Sequence, residues 1–226
     1  MGQFHDNQFP GESDTYRAAR DELLAAEMEL RKQYEAVAGM RRALPLGGEI
    51  KQDYAFDEDV GGTIVQTNLG DLFAPGKDSL FLYSFMYAPG GDACPACTAM
   101  LDALNGSTPH IRDRINFAVV AKAPMDQIRD WAQRRGWNNL RLLSSNGNSY
   151  NIDYGAERDG NQLPAINVFR QTGDGVFHTY NAELLYAPSE EGQHPRHADA
   201  IWPLWSVFDL TPVGRGTDWF PRFAYD

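Results

Sequence analysis

The sequence predicts an α/β protein in which helices flank a central mixed β-sheet. Two continuous runs of apolar and aromatic residues, 80–87 and 115–121, have the composition of strands buried on both faces. A segment with the apolar spacing of a helix follows each run. Residues 165–170 and 176–180 are separated by a short Gly/Asp turn, which is typical of a β-hairpin.

The other elements follow in chain order, and residues 1–43 and 44–226 are predicted as two parts, a lead-in with a long helix and a domain. Ser13 or Asp14 is expected to cap that long helix. Residues 145–162, rich in Asn, Gly and Asp, are expected to run over the surface and over the functional site. The predicted elements are helices at 15–42, 95–113, 124–135 and 201–208, strands at 54–56, 63–67 and 140–144, and a helical turn at 68–73.

The order strand, helix, strand, helix, strand, followed by a hairpin that a proline opens, is that of a thioredoxin-like fold. In that fold a cis-proline stands just before the hairpin and faces a Cys-x-x-Cys. Pro164 occupies this position. We therefore predict that the Leu163–Pro164 bond is cis and faces the cysteines.

The composition excludes several classes of partner. The 226 residues carry a formal net charge of -11, whereas nucleic acids and anionic membranes require a basic surface. The longest apolar run has about eight residues, far fewer than the ~20 that span a bilayer. The N-terminus has neither the basic nor the apolar region of a signal peptide. A cytoplasmic protein without nucleic-acid or membrane partners is expected.

Cys94 and Cys97 are the two cysteines of the chain, and they form one Cys-x-x-Cys between the first buried strand and its helix. Side chains three residues apart on a helix are neighbours, so these sulfurs can form a disulfide with little backbone movement. Cys94 stands at the helix N-terminus, where unpaired N–H groups and the helix dipole favour a thiolate. Pro95 suits the first turn, which does not need its missing N–H. The pattern predicts a thiol–disulfide oxidoreductase.

In the predicted mechanism Cys94 attacks, a mixed disulfide forms, and Cys97 resolves it. The expected partner is a protein or small-molecule thiol or disulfide, and no cofactor is predicted. Pro95 and Pro164 would shape the groove that receives this substrate. His178, on the hairpin, is either a sheet histidine with satisfied hydrogen bonds or a proton shuttle.

Three alternatives remain open from the residues alone. The cysteines could sense oxidation in a binding module, or they could form a structural zinc site with His194 and His197. The spacing of these histidines is shorter than in the usual zinc finger. A peroxidase is the third alternative, although no Pro-x-x-x-Thr-x-x-Cys pattern precedes Cys94.

The long N-terminal helix has an apolar residue at every seventh position, with further small or apolar residues three positions on. This spacing is typical of a helix that packs along a partner, and a helix that lies on its own domain has the same pattern. We expect the helix to contribute to a homodimer. The residues that form the repeat are Tyr16, Leu23, Leu30 and Val37, with Ala19, Ala26 and Met40.

Several of these segments together resemble a family of bacterial thioredoxin-like proteins that are described as predicted dithiol–disulfide oxidoreductases. The resemblance implies a thioredoxin-like fold of the peroxiredoxin-related kind, with Cys94 and Cys97 as the redox pair, and it names no substrate. Ala93 stands where thioredoxin has Trp, so the reductase-linked role of thioredoxin is not carried over. The matching segments are 18–27, 43–45, 53–56, 94–97, 135–137, 163–165, 176–180 and 208–212.

Overall fold

The computed structural model describes residues 3–188, 191 and 199–225. The chain divides into two compact units, Met1–Pro45 and Leu46–Asp226.

The first unit is dominated by helix α1, Asp14–Arg42, as predicted. The Ser13 hydroxyl oxygen caps it by accepting a 3.1 Å hydrogen bond from the backbone N–H of Tyr16. Arg41 and Arg42 lie in the last turn, where positive charge complements the helix dipole. Apolar side chains of the seven-residue repeat are exposed to solvent: Tyr16, Leu23, Leu30, Val37 and Met40.

The second unit is built on a seven-stranded sheet, accompanied by a separate two-stranded hairpin. In the part of the chain that the structure describes, the strands are β1 Ala55–Val60, β2 Thr63–Asn68, β3 Ser79–Phe85, β4 Asn116–Ala121, β5 Leu142–Ser144, β6 Glu157–Arg158, β7 Asn161–Gln162, β8 Ala165–Thr172 and β9 Gly175–Asn181. The large sheet has the order β2-β1-β5-β4-β3-β8-β9. The strands β3, β4 and β5 are parallel, while β1 and β8 run antiparallel to their neighbours. The predicted mixed sheet is therefore confirmed.

Among the described residues, the α-helices that accompany the sheet are α2 Pro95–Arg114, α3 Met125–Arg135, α4 Tyr150–Asp153 and α5 Pro203–Asp209. The crossovers β3–α2–β4 and β4–α3–β5 step in the same direction across the sheet. Right-handed connections therefore place α2 and α3 on one face. There Leu101 of α2 and Ile128 of α3 are buried with Phe85 of β3. Gly136 ends α3 in the left-handed conformation, with φ 70°.

The opposite face of the sheet has its own aromatic core, in which Tyr54, Tyr150 and Phe169 are buried. Segment 145–162 packs here through Tyr150 and Tyr154, whose rings contact that of Tyr54. The expectation that this segment lies over the functional site is therefore wrong, because its aromatic side chains anchor it on the face opposite the cysteines.

The order β4-β3-β8-β9, with a helix between the parallel pair and a hairpin on the other side, gives this unit a thioredoxin-like fold. Within the described residues, no helix combines the length and apolar content that crossing a membrane requires.

The Leu163–Pro164 peptide bond is trans, so the predicted cis-proline is wrong. Leu163 continues the extended chain of β7, and its N–H donates a 2.8 Å hydrogen bond to the Ala156 carbonyl. Ala165 then begins β8. The Leu163–Pro164 bond thus has the isomer that X-Pro bonds favour by about 0.5–1 kcal/mol.

Candidate active site

Cys94 is placed by the junction between β3 and α2. Its backbone N–H donates a 3.1 Å hydrogen bond to the carbonyl of Met86, just beyond the end of β3. Its φ of -69° and ψ of 124° make it the N-cap of α2, and Pro95 occupies the first helical position. The Cys94 carbonyl accepts the first helical bond from the N–H of Thr98, at 2.9 Å. Helix α2 therefore begins directly after Cys94, as predicted.

The two cysteines are free thiols with different exposure. Cys94 is partly exposed, whereas Cys97, one turn into α2, is only 3% exposed. The backbone N–H of Cys97 points at Sγ of Cys94 and donates a 3.4 Å hydrogen bond to it. An otherwise unpaired N–H of the helix terminus is thus directed at the partly exposed sulfur.

This geometry separates the pKa values of the two thiols. A hydrogen bond from the side chain of Cys97, together with backbone N–H groups of Cys97 and Ala96, outweighs burial and lowers the pKa of Cys94 to about 6. The hydrogen bond to Cys94, burial and the nearby negative charge raise the pKa of Cys97 well above that of a free thiol. The sulfur of Cys94 therefore favours the thiolate form, whereas the sulfur of Cys97 favours the protonated thiol.

Tyr83 is a second group at the buried thiol. Its side chain extends from β3 into the core beside α2, and it lines the same small pocket as Cys97. The Tyr83 hydroxyl acts to lower the pKa of Cys97, against the larger raising effects of Cys94 and burial. The sequence places Tyr83 in a buried strand but gives no signal that it contacts a cysteine.

Gln127 of α3 holds the loop that precedes Cys94. Its side-chain amide donates to the carbonyls of Ala88 and Gly91, each at 3.1 Å, and its carbonyl accepts the N–H of Gly90 at 2.9 Å. Three backbone groups of a turn rich in Gly and Pro are thereby fixed by one side chain. Sequence analysis missed Gln127, since a single glutamine on a helix has no distinguishing pattern.

Pro164 lies on the same side of the sheet as the cysteines. With Cys97 it lines a small pocket of about 60 Å³. The predicted proximity of this proline to the Cys-x-x-Cys is therefore present, although its peptide bond is trans.

His178 of β9 is not near the cysteines. Its ring packs against Tyr154 and Phe169 on the opposite face of the sheet. Nε2 is 2.9 Å from Oδ1 of Asn167, and this oxygen only accepts, so Nε2 carries the proton. Burial lowers the pKa of His178. The surroundings are those of a sheet histidine with a satisfied hydrogen bond.

The two histidines of the zinc alternative, His194 and His197, lie outside the described residues. Within 3–188, 191 and 199–225, no group of three or more His, Cys, Asp or Glu side chains is arranged to hold a metal ion.

The sequence matches a family described as "Bacterial protein of unknown function (DUF899)" over residues 6–225. The chain belongs to this family. The DUF899 description assigns no activity, so chemistry must be argued from the site itself. Comparison with curated proteins gives no match.

Solved structures that are similar to this DUF899 chain include an AhpC, a peroxiredoxin and a thioredoxin, all of low sequence identity. Enterococcus faecalis AhpC is 14% identical, with 69% of this chain and 87% of that chain covered and a TM-score of 0.48. A Xanthomonas campestris peroxiredoxin Q is 13% identical, with 71% and 96% covered and a TM-score of 0.47. The Streptococcus pneumoniae exposed lipoprotein thioredoxin is 17% identical, with 57% and 87% covered and a TM-score of 0.42. The fold assignment rests on the strand order and pairing described above.

Proposed function

We propose that the protein is a thiol–disulfide oxidoreductase with Cys94 and Cys97 as its redox pair. The observation that carries the proposal is the 3.4 Å hydrogen bond from the backbone N–H of Cys97 to Sγ of Cys94. It directs a helix N-terminal N–H at a partly exposed sulfur whose partner thiol is buried one turn away. A thiolate is the nucleophile in disulfide exchange, so this arrangement favours attack by Cys94.

In the proposed reaction the Cys94 thiolate attacks one sulfur of a substrate disulfide. A Cys94–substrate disulfide forms, the substrate S–S bond breaks, and the leaving thiolate takes up a proton. Cys97 then loses its proton to solvent and attacks Sγ of Cys94. The mixed disulfide breaks, the Cys94–Cys97 disulfide forms, and the second substrate thiol is released. Two electrons pass from the protein dithiol to the substrate disulfide, and an external dithiol must restore them for turnover.

The separation of the two pKa values supports this division of roles. The lowered pKa of Cys94 gives a good nucleophile and leaving group near neutral pH. The raised pKa of Cys97 keeps its thiol protonated until a mixed disulfide removes the negative charge on Cys94. Cys97 then resolves the intermediate.

The direct test is equilibration of the protein in buffers of reduced and oxidised dithiothreitol, followed by alkylation and mass spectrometry. The account predicts two states that differ by two alkylated thiols. The Cys94→Ser and Cys97→Ser variants serve as controls, and neither forms an intramolecular disulfide. A wild-type protein that keeps two free thiols in every buffer is not an oxidoreductase of this kind.

The location and assembly of the protein belong to the same proposal. A cytoplasmic location suits a cysteine pair that cycles between dithiol and disulfide, since reducing pools there regenerate the dithiol. A homodimer through α1 remains proposed, supported by its exposed apolar repeat.

A further inference from the structure

The pocket beside Cys97 has walls from two distant parts of the chain. Cys97 of α2 and Pro164, before β8, form one side. Leu185, Ile201 and Trp202, which follow the hairpin, form the other. The space along Pro164, where the sequence predicts the substrate groove, is therefore bounded by residues that follow β9 in the chain.

The side formed by Leu185, Ile201 and Trp202, the outer wall of the pocket, is anchored in the protein core. The rings of Trp202 and Trp205 pack edge to face with centroids 5.2 Å apart, and both side chains are buried on the cysteine face. Arg215, itself 7% exposed, binds Asp199 through both terminal nitrogens, at 2.9 and 3.0 Å, and also pairs with Asp209 at 2.6 Å. These ion pairs lie on both sides of the Trp202–Trp205 segment in sequence and fix it in place.

The pocket is small and its lining is uncharged. Its volume is about 60 Å³, whereas an apolar cavity of about 150 Å³ holds a benzene ring. Its lining side chains carry no charge, and their polar groups are the Cys97 thiol, the Tyr83 hydroxyl and the Trp202 indole. An aliphatic group of two or three carbons fits such a space, while an aromatic ring or a stretch of peptide does not.

We propose, on the basis of the oxidoreductase function above, that the exchange partner is a small thiol or disulfide with a short aliphatic group beside its sulfur. Cys97 lines the pocket, and its backbone nitrogen is 3.4 Å from Sγ of Cys94, so the pocket adjoins the reacting sulfur through Cys97. The group next to the sulfur bound to Cys94 enters this pocket between Pro164 and Ile201. The substrate sulfur is thereby placed beside Cys94, and a disulfide whose sulfur carries an aromatic or bulky group does not fit the pocket.

The test uses alkyl methanethiosulfonates, which transfer their R–S group to a thiolate and release methanesulfinate. Ethyl and benzyl reagents are compared, and each rate is divided by the rate of the same reagent with free cysteine. The corrected rate is expected to fall about tenfold or more from ethyl to benzyl in the wild-type protein, a difference of about 1.4 kcal/mol. Equal corrected rates would overturn the proposal.

Enlarging the pocket supplies the second arm. Leu185→Ala and Ile201→Ala are expected to raise the corrected benzyl rate about threefold or more and to leave the ethyl rate nearly unchanged. Ile201→Val, which removes one methylene, is the milder variant if an alanine variant does not fold. The matched controls are Leu184→Ala and Val207→Ala, whose parent side chains are 61% and 56% exposed. If the control variants change the ratio of the benzyl and ethyl rates as much as the pocket variants do, this pocket does not select the substrate.

The same reactions separate this inference from the function on which it rests. If Cys94 acquires the R–S group but no Cys94–Cys97 disulfide follows, the proposed oxidoreductase function is wrong. The ratio of the corrected ethyl and benzyl rates then still shows whether the pocket discriminates between substrates by size. If the disulfide follows at the same corrected rate with both reagents, the function stands and the size selection is overturned.

Discussion

The backbone N–H of Cys97 donates a 3.4 Å hydrogen bond to the sulfur of Cys94. Because Cys94 is the N-cap of α2, this bond uses one of the N–H groups that a helix terminus leaves unpaired. The bond stabilises the thiolate form of Cys94, and the burial of Cys97 disfavours a charge on the second sulfur. The chemistry proposed for the protein follows from this asymmetry.

The first prediction concerns the pH dependence of Cys94. Its pKa is lowered to about 6, so alkylation by iodoacetamide should be fast above this pH and should slow as the pH falls through it. Cys97→Ala removes the side-chain hydrogen bond that contributes most to the lowering, so the midpoint of Cys94 should rise. A free thiol titrates near ~8.5. A wild-type midpoint at or above that value would contradict the site geometry.

A second prediction concerns Gln127, which holds the loop before Cys94 through three hydrogen bonds. Gln127→Leu removes all three bonds and leaves the Ala88 carbonyl with only the N–H of Gly91 as a donor, at 3.2 Å. The loop that positions Cys94 should therefore loosen, and the alkylation midpoint should shift upward. Gln127→Glu keeps the acceptor and loses the donors, and should have an intermediate effect. Gln133→Leu, at an exposed position of the same helix, is the matched control. If the Gln127 and Gln133 variants titrate alike, Gln127 does not position the thiolate.

The third prediction is that His178 supports the sheet and takes no part in exchange. Its ring packs on the face opposite the cysteines and bonds to Asn167. His178→Gln should therefore leave the alkylation rate of Cys94 within about twofold and lower the free energy of unfolding by about 1 kcal/mol. Alkylation kinetics and urea unfolding provide the two measurements. A tenfold loss of rate in a fully stable variant would instead assign His178 a part in the reaction.

The fourth prediction is that α1 forms an antiparallel homodimer. Leu23 and Leu30 of its repeat are 47% and 57% exposed. Residues 14–28 carry four acidic and two basic side chains, and residues 29–42 carry two acidic and four basic. Antiparallel pairing of two copies therefore joins opposite charges along the apolar seam.

Sedimentation at micromolar concentration checks this assembly. The wild type should sediment as a dimer, and the double variant Leu23→Glu/Leu30→Glu should sediment as a monomer. Ala25→Glu, at an exposed position outside the repeat, should remain dimeric. A monomeric wild type would refute the dimer.

The order of the elements was predictable because β3 and β4 are buried on both faces, and such strands are recognisable as continuous apolar runs. The N-cap position of Cys94 was predictable because the signal is local: a Gly/Pro turn, a cysteine and a proline.

Other features depend on contacts between distant residues. Gln127 bonds to a loop more than thirty residues away, and no local pattern marks it. The isomer of the Leu163–Pro164 bond depends on the surrounding tertiary structure, so the Leu-Pro dipeptide alone does not determine it. Tyr150 and Tyr154 anchor segment 145–162, but nothing in the sequence of this segment says which face of the sheet they cover.

The central claim is that Cys94 attacks and Cys97 resolves, and trapping of the mixed disulfide tests it most directly. The reduced Cys97→Ser and Cys94→Ser variants are each treated with diethyl disulfide at pH 7, and the ethylthio adduct is followed by mass spectrometry. The account predicts rapid accumulation of the adduct on Cys94 in the first variant, and adduct formation on Cys97 about tenfold or more slower in the second. Faster adduct formation on Cys97 would contradict the assigned roles.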